Sequence, residues 1–280
     1  MCVTCGCGNT DDATLSIHGA EHEHVHADGT RHTHALHAPV QGFARVPFRQ
    51  PTSVPGRDTH TIQLEAQILG KNQLIAERNR SWLARKGILA LNLVSSPGAG
   101  KTTLLERTLT DLKSTMHISV IEGDQATSND AERIRATGVP AVQINTGTGC
   151  HLEADMLERA LAALTPAPAS LLMIENVGNL VCPALFDLGE RAKVVIFSVT
   201  EGEDKPLKYP HMFNAASVLL LSKTDLLPHV RFDAARAVAN ALAVNPKLRV
   251  FRLSAYSGAG LAPWYEWLTS ELRACGGGLS

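Results

Sequence analysis

From residue 88 onward the chain alternates short apolar runs with longer stretches in which apolar residues recur every three or four positions. The runs lie at 88–94, 118–122, 141–144, 171–175, 194–199, 218–221 and 250–253. Short, nearly continuous apolar runs are the pattern of strands buried on both faces of a parallel sheet. The stretches at 101–113, 152–164, 233–243 and 264–274 read as amphipathic helices. Strand followed by helix, repeated, predicts an α/β fold with a mostly parallel sheet sandwiched by helices. Ahead of it, Ile62, Leu64, Ile68, Leu69, Leu74, Ile75, Trp82 and Leu83 keep a helical spacing. Residues 1–60 have no apolar periodicity and are rich in His, Pro, Gly, Gln and Arg between Ile17 and Thr61. They read as a disordered Cys/His-rich extension that builds no core. The expected organisation is thus an extension (1–60), a helix (61–86) and an α/β domain (87–274), with no internal repeat.

Composition narrows the function. Hydrophobic residues make up 44% of the chain, ample for a core, and 26 Lys+Arg against 27 Asp+Glu leave a net charge of −1. Such a balance points away from nucleic acid as a partner. No apolar run reaches the ~18 residues of a membrane span. The first residues lack the basic patch and apolar stretch of a secretory signal, so a cytoplasmic location is expected. Of the six cysteines, Cys2, Cys5 and Cys7 crowd together, whereas Cys150, Cys182 and Cys275 are scattered. In a reducing compartment, closely spaced thiols bind metal or do redox work.

The run at 88–94 leads into Ser95, Ser96, Pro97, Gly98, Ala99, Gly100, Lys101, Thr102 and Thr103. Strand, glycine-rich turn and helix start are the context of a phosphate-binding loop. Gly98 and Gly100 let the backbone turn its N–H groups toward phosphate oxygens. Lys101 supplies a charge for the β and γ phosphates, and Thr102 a hydroxyl for Mg²⁺. Ser95 stands where the usual pattern begins with glycine.

Further along, Ser222, Lys223, Thr224 and Asp225 end an apolar run with the Lys-x-Asp step of GTPases, in which the carboxylate accepts two hydrogen bonds from guanine. Ser222 replaces the usual Asn. Ser254, Ala255, Tyr256, Ser257 and Gly258 are similar to the backbone loop that GTPases lay against the base. Together these favour GTP over ATP. Two other runs end in acids, Glu122-Gly123-Asp124 and Glu175-Asn176-Val177-Gly178, and parallel sheets gather ligands at such ends. Asp124 is the first candidate for holding Mg²⁺ through water or orienting the attacking water, and Glu175 the second. Gly178 can report loss of the γ-phosphate. No glutamine or arginine finger can be named, so slow hydrolysis is expected.

Three thiols at Cys2, Cys5 and Cys7 suit Zn, Cu(I) or Ni(II), and a neighbouring terminal amine completes a square-planar set that fits Ni(II) better than Zn²⁺. His18, His22, His24, His26, His32, His34 and His37 form a separate tract suited to metal storage. Inside the domain, Cys150 and His151 make two ligands of an incomplete site. Cys182 follows the Glu175 run closely, and if it meets them, or if two subunits pool their pairs, the metal site becomes coupled to the nucleotide. Cys275 has no assigned role.

These residues together resemble the HypB family of hydrogenase-maturation GTPases. The resemblance rests on the terminal Cys-x-x-Cys-Gly-Cys, the His tract, 95–103, Gly149-Cys150-His151-Leu152 and the run from Glu175 to Pro183. It implies a SIMIBI-class P-loop GTPase using GTP/GDP and Mg²⁺. It also implies a nickel site at Cys2, Cys5 and Cys7, and a Ni²⁺/Zn²⁺ site at Cys150, His151 and Cys182 near a GTP-dependent homodimer interface. Such proteins deliver nickel to the [NiFe]-hydrogenase large subunit with a HypA-like, zinc-containing chaperone. The related urease-maturation GTPases share the fold, and a nickel store with a regulatory nucleotide site is the rival from another class.

Overall fold

The computed structural model describes residues 59–124, 129–147 and 149–276, and the backbone of 23–25 and 31–33. Cys2, Cys5, Cys7 and the side chains of the histidine tract lie outside the described residues. The chain divides into two compact units, 1–61 and 62–280. In the first, β1 (Glu23–Val25) and β2 (Arg31–Thr33) pair antiparallel, with His24 opposite His32. Nothing in the apolar pattern announces this hairpin.

A 27-residue helix, α1 (Thr59–Arg85), leads into the sheet. The strands are β3 (Leu89–Ser95), β4 (Ile118–Asp124), β5 (Ala141–Asn145), β6 (Leu171–Glu175), β7 (Ala192–Ser198), β8 (Val218–Ser222) and β9 (Arg249–Arg252). They lie in the order β5-β4-β6-β3-β7-β8-β9 and every pairing is parallel, as the alternation predicts. β3 is central and fully buried; Leu89, Leu91 and Leu93 pack on one face with Leu105, Leu109 and Trp264. Elsewhere on the opposite side, Val94 joins Phe197, Phe213 and Leu219, while Ala90 joins Ile121, Leu157 and Ile174. From β3 the chain runs outward on one side to β4 and β5, returns at β6 beside β3, and continues on the other side through β7, β8 and β9, so a crevice opens at the carboxyl ends of the strands where the direction reverses.

The long helices are α2 (Lys101–Leu112), α4 (Ala154–Leu164), α8 (Ala234–Val244) and α9 (Leu261–Gly276). The sequence misses α3 (Asn129–Ala136), whose only fully buried described residue is Ile134. It also misses α5 (Cys182–Leu185), α6 (Lys205–Lys208) and α7 (Pro210–Ala215), which are too short to show a period. α4 begins two residues later than the spacing predicts, at Ala154; Leu152 lies just ahead of it, fully buried, with its N–H donated to Asn176 Oδ1 at 3.1 Å.

α1 is tied down by two buried asparagines. Asn79 Nδ2 donates to the carbonyls of Ala154 (2.8 Å) and Leu188 (3.1 Å). Asn72 Nδ2 donates to the Asp187 carbonyl at 2.7 Å, and its Oδ1 accepts the Ala154 N–H at 2.8 Å. Glu153 makes no side-chain cap, so Asn72 satisfies an amide at the start of α4 from another helix. Asn79→Ala strands two buried carbonyls and is expected to cost about 1–3 kcal/mol. Urea unfolding should show a lower midpoint with an unchanged slope.

Candidate functional site

β3 and α2 are joined by a loop whose path needs glycine. Gly98 and Gly100 adopt φ of 73° and 93°, values at which any Cβ is strained. No side chain caps α2, so its first N–H groups and the positive end of its dipole stand open to an anion. Two side chains at the end of β8 brace the loop. Ser222 Oγ donates to the Ala99 carbonyl at 2.8 Å, and Lys223 Nζ to the Gly98 carbonyl at 2.7 Å. Ser222, where asparagine was expected, thus holds the phosphate loop in place.

Below the loop lie the acidic strand ends. Glu175 Oε1 accepts from Lys101 Nζ at 3.0 Å and from Thr102 Oγ1 at 2.7 Å. Its other oxygen, Oε2, is buried without a hydrogen-bond partner. A buried carboxylate oxygen with no donor is costly unless a cation completes it. Thr102, Asp124 and Glu175 offer the oxygen set that a hard divalent cation takes. Glu122 sits opposite Glu175 in the β4–β6 register and is itself buried. Burial, reinforced by Glu175, Asp130 and Asp124 against the pull of Lys101, pushes its carboxyl up to about 7. Sequence reasoning named the strand end but not Glu122, because desolvation leaves no trace in a sequence.

These groups line a cavity of about 530 Å³ that also takes in Asp130 and Arg133 from α3. Gly178 closes its other side, where an added Cβ would stand 3.3 Å from Pro97. Asp225, Ser254 and Ala255 are brought together beyond this lining: Ser254 Oγ donates to Asp225 Oδ1, and Arg107 Nη1 to the Ala255 carbonyl at 3.2 Å.

A second cluster lies behind the same strand ends. Ligand atoms of Cys150, His151 and Cys182 fall within 4.8 Å of one another. Cys150 and Cys182 form no disulfide, and the Cys150 thiol donates to the Cys182 sulfur at 3.0 Å. Burial lowers the His151 pKa, keeping the imidazole neutral and able to ligate. Its Nε2 is buried without a hydrogen bond, and Glu153 Oε1, at 3.7 Å, is too distant to supply one. Two thiols and an imidazole suit a soft or borderline transition metal. Cys275 lies apart in α9.

The clusters share a buried amide. Asn176, next to Glu175, accepts from Leu152 N through Oδ1 at 3.1 Å, and Leu152 is the neighbour of His151. Asn176 Nδ2 donates to Asn92 Oδ1 at 3.2 Å, and Asn92 Nδ2 to Glu190 Oε1 at 3.1 Å. On the other strand end, a Cβ at Gly123 would stand 2.6 Å from the Leu152 side chain.

Sheet order, glycine loop and braced α2 define a P-loop nucleotide-binding protein. The CobW/HypB/UreG nucleotide-binding domain family matches residues 89–252. The hydrogenase maturation factor HypB of Rhizobium leguminosarum bv. viciae is 59% identical over 216 residues, 77% of this chain and 72% of that protein. That of Escherichia coli (strain K12) is 47% identical over 297 residues, 97% of this chain and 99% of that protein. The crystal structure of HypB from Helicobacter pylori in complex with nickel aligns with a TM-score of 0.68 at 39% identity, covering 73% of this chain and 96% of that one. The chain belongs to the CobW/HypB/UreG family and, within it, to the HypB hydrogenase maturation factors.

Glu122 gives a pH dependence. In the fold its carboxyl keeps a proton up to about pH 7, whereas its ordinary value is 4.5. The folded state therefore binds more protons between those values, and its stability falls as pH rises through them. Without nucleotide or divalent cation, Glu122→Gln should melt higher than wild type above pH 7. That gain should vanish below about pH 5, a window that thermal melts across pH would trace.

Proposed function

We propose that the chain is a nickel-binding GTPase that delivers nickel during [NiFe]-hydrogenase maturation, with the nucleotide state controlling metal release. The observation that carries this reading is the Asn176 amide, which joins the Glu175 strand end to the loop holding Cys150 and His151. The nickel in the Helicobacter pylori relative's crystal structure supports the choice of metal.

Guanine is selected by Asp225, whose carboxylate Ser254 steadies, with Lys223 and the backbone of Ser254 and Ala255 beside it. Loop amides from Gly98 to Thr103 take the phosphates, and Lys101 turns from Glu175 to the β and γ oxygens. Thr102 and, directly or through water, Asp124 would hold Mg²⁺, which would neutralise charge on those oxygens. Asp124 and Glu175 orient the water, and GTP + H₂O becomes GDP + phosphate slowly, without a supplied finger.

Metal is the cargo. Cys150, His151 and Cys182 give three ligands, short of the four that Zn²⁺ or square-planar Ni²⁺ takes. A second subunit, drawn in by GTP, completes the environment. Hydrolysis relaxes the loops after Asp124 and Glu175 and opens the site toward a HypA-like chaperone or the hydrogenase large subunit. Cys2, Cys5 and Cys7 form the separate high-affinity nickel site.

Lys101→Ala should abolish guanine-nucleotide binding in calorimetric titration, and tight binding that survived it would sink the phosphate-site assignment. Titrating Ni²⁺ and Zn²⁺ into wild type, Cys2→Ala and Cys150→Ala, each with GDP or a non-hydrolysable GTP analogue, tests the coupling. Affinity at the internal site should differ between the nucleotides and disappear in Cys150→Ala. Equal affinities would leave a metal store with an uncoupled nucleotide site.

A further inference from the structure

Among the cations lining the nucleotide cavity, Lys101 and Lys223 already have tasks. Lys101 bonds to Glu175, and Lys223 braces the loop through the Gly98 carbonyl. Arg133 is the remaining one, and it enters from α3 rather than from any nucleotide-binding motif. Its Nη2 donates to Thr103 Oγ1 at 3.1 Å and to Glu106 Oε2 at 2.6 Å; Nε reaches the same Glu106 oxygen at 3.2 Å. Nη1 has a long contact of 3.4 Å to Asp130 Oδ1. The side chain is 41% exposed, so the guanidinium can shift without breaching the core.

Its position says which phosphate it meets. Thr102 points its hydroxyl at Glu175, the acid beside the phosphate-facing Lys101. Thr103 follows it on α2 and projects about 100° further around the helix. One turn further on the same face of α2, Arg107 bonds to the carbonyl of Ala255 in the loop assigned to the base, so a guanidinium docked at Thr103 lies on the base side of the phosphate loop, toward the phosphate next to the sugar. A planar fork of donors fits a phosphate's oxygens better than a point charge does. In the described structure Glu106 and Asp130 occupy that fork, two carboxylates that an entering phosphate can replace.

We infer that Arg133 is a nucleotide-binding residue that clamps the α-phosphate, released from Glu106 as the nucleotide enters. The inference rests on the GTPase reading and adds a ligand to it. Because the α-phosphate is common to GDP and GTP, the clamp serves both nucleotides equally and takes no part in γ-phosphate cleavage. It also ties α3, which follows the acidic end of β4, to nucleotide occupancy.

Calorimetric titration of full-length wild type, Arg133→Met, Arg133→Lys and Glu106→Gln with GDP and with a non-hydrolysable GTP analogue tests this, alongside steady-state GTP hydrolysis. Arg133→Met should weaken both nucleotides by the same factor, roughly 10–100-fold for lost charge-assisted hydrogen bonds. The loss should fall on KM more than on kcat, and Arg133→Lys should restore part of it. Glu106→Gln should tighten binding several-fold, and only while Arg133 is present, which a double-mutant cycle reads directly. A merely structural bridge between α2 and α3 would instead make Glu106→Gln weaken binding. Unchanged nucleotide affinity in an Arg133→Met protein with a wild-type melting curve overturns the inference. So does a fall in kcat with GDP affinity intact, which would place the guanidinium on the γ-phosphate. A wild type that binds no guanine nucleotide overturns the GTPase reading itself, before any variant is compared.

Discussion

One carboxylate oxygen, Glu175 Oε1, receives both the ammonium of Lys101 and the hydroxyl of Thr102. It is buried at the end of β6, beside central β3, and so fixes the start of α2 against the sheet. Much else follows from that placement. The loop between β3 and α2 must close in a few residues, which forces the positive φ of Gly98 and Gly100. The residue after Glu175 is carried into the core as a polar group, and Asn92 and the Leu152 amide are there to satisfy it, Asn92 being satisfied in turn by Glu190. Burying one acid beside another also raises the proton affinity of Glu122.

The inner sheet was legible because β3, β4, β6, β7 and β8 are buried on both faces, which writes each as an apolar run, whereas the edge strands β5 and β9 are only partly covered. The phosphate loop was legible because glycine is needed for backbone reasons that any sequence must obey. What stayed hidden is polar and long-range. Asn72 and Asn79 interrupt the apolar stripe of α1, yet they carry its attachment to α4 and to the 187–188 segment. α3 is polar along most of its length, so neither it nor Arg133 could be placed beside Thr103. Ser222 read as a departure from a base-binding pattern; its bond to the Ala99 carbonyl depends on a contact 123 residues away. The thiols of Cys2, Cys5 and Cys7 lie outside the described residues.

The two candidate sites share their supports. β4 and β6 both end at the nucleotide cavity, and the segments around Leu152 and Cys182 rest on those same ends. Cys182 comes from a different stretch of chain than the adjacent Cys150 and His151, so their convergence is a property of the tertiary fold. In the proposed coupling, a change at either strand end reaches the ligands through packed, hydrogen-bonded groups rather than through solvent. Physical contiguity of this kind is what an energetic coupling between sites requires.

Gly123 gives that contiguity a mechanical character. A side chain there would collide with Leu152, so the β4 backbone and the leucine touch with nothing between them. Flexible side chains act as springs that absorb small displacements by changing rotamer. A bare backbone has no such compliance, and close-packed interiors transmit strain. Only the leucine side of the contact can yield, and Leu152 is fully buried, with little room to change rotamer. Such a contact is what the proposed coupling between the two cavities needs: a path on which a small displacement is not absorbed along the way.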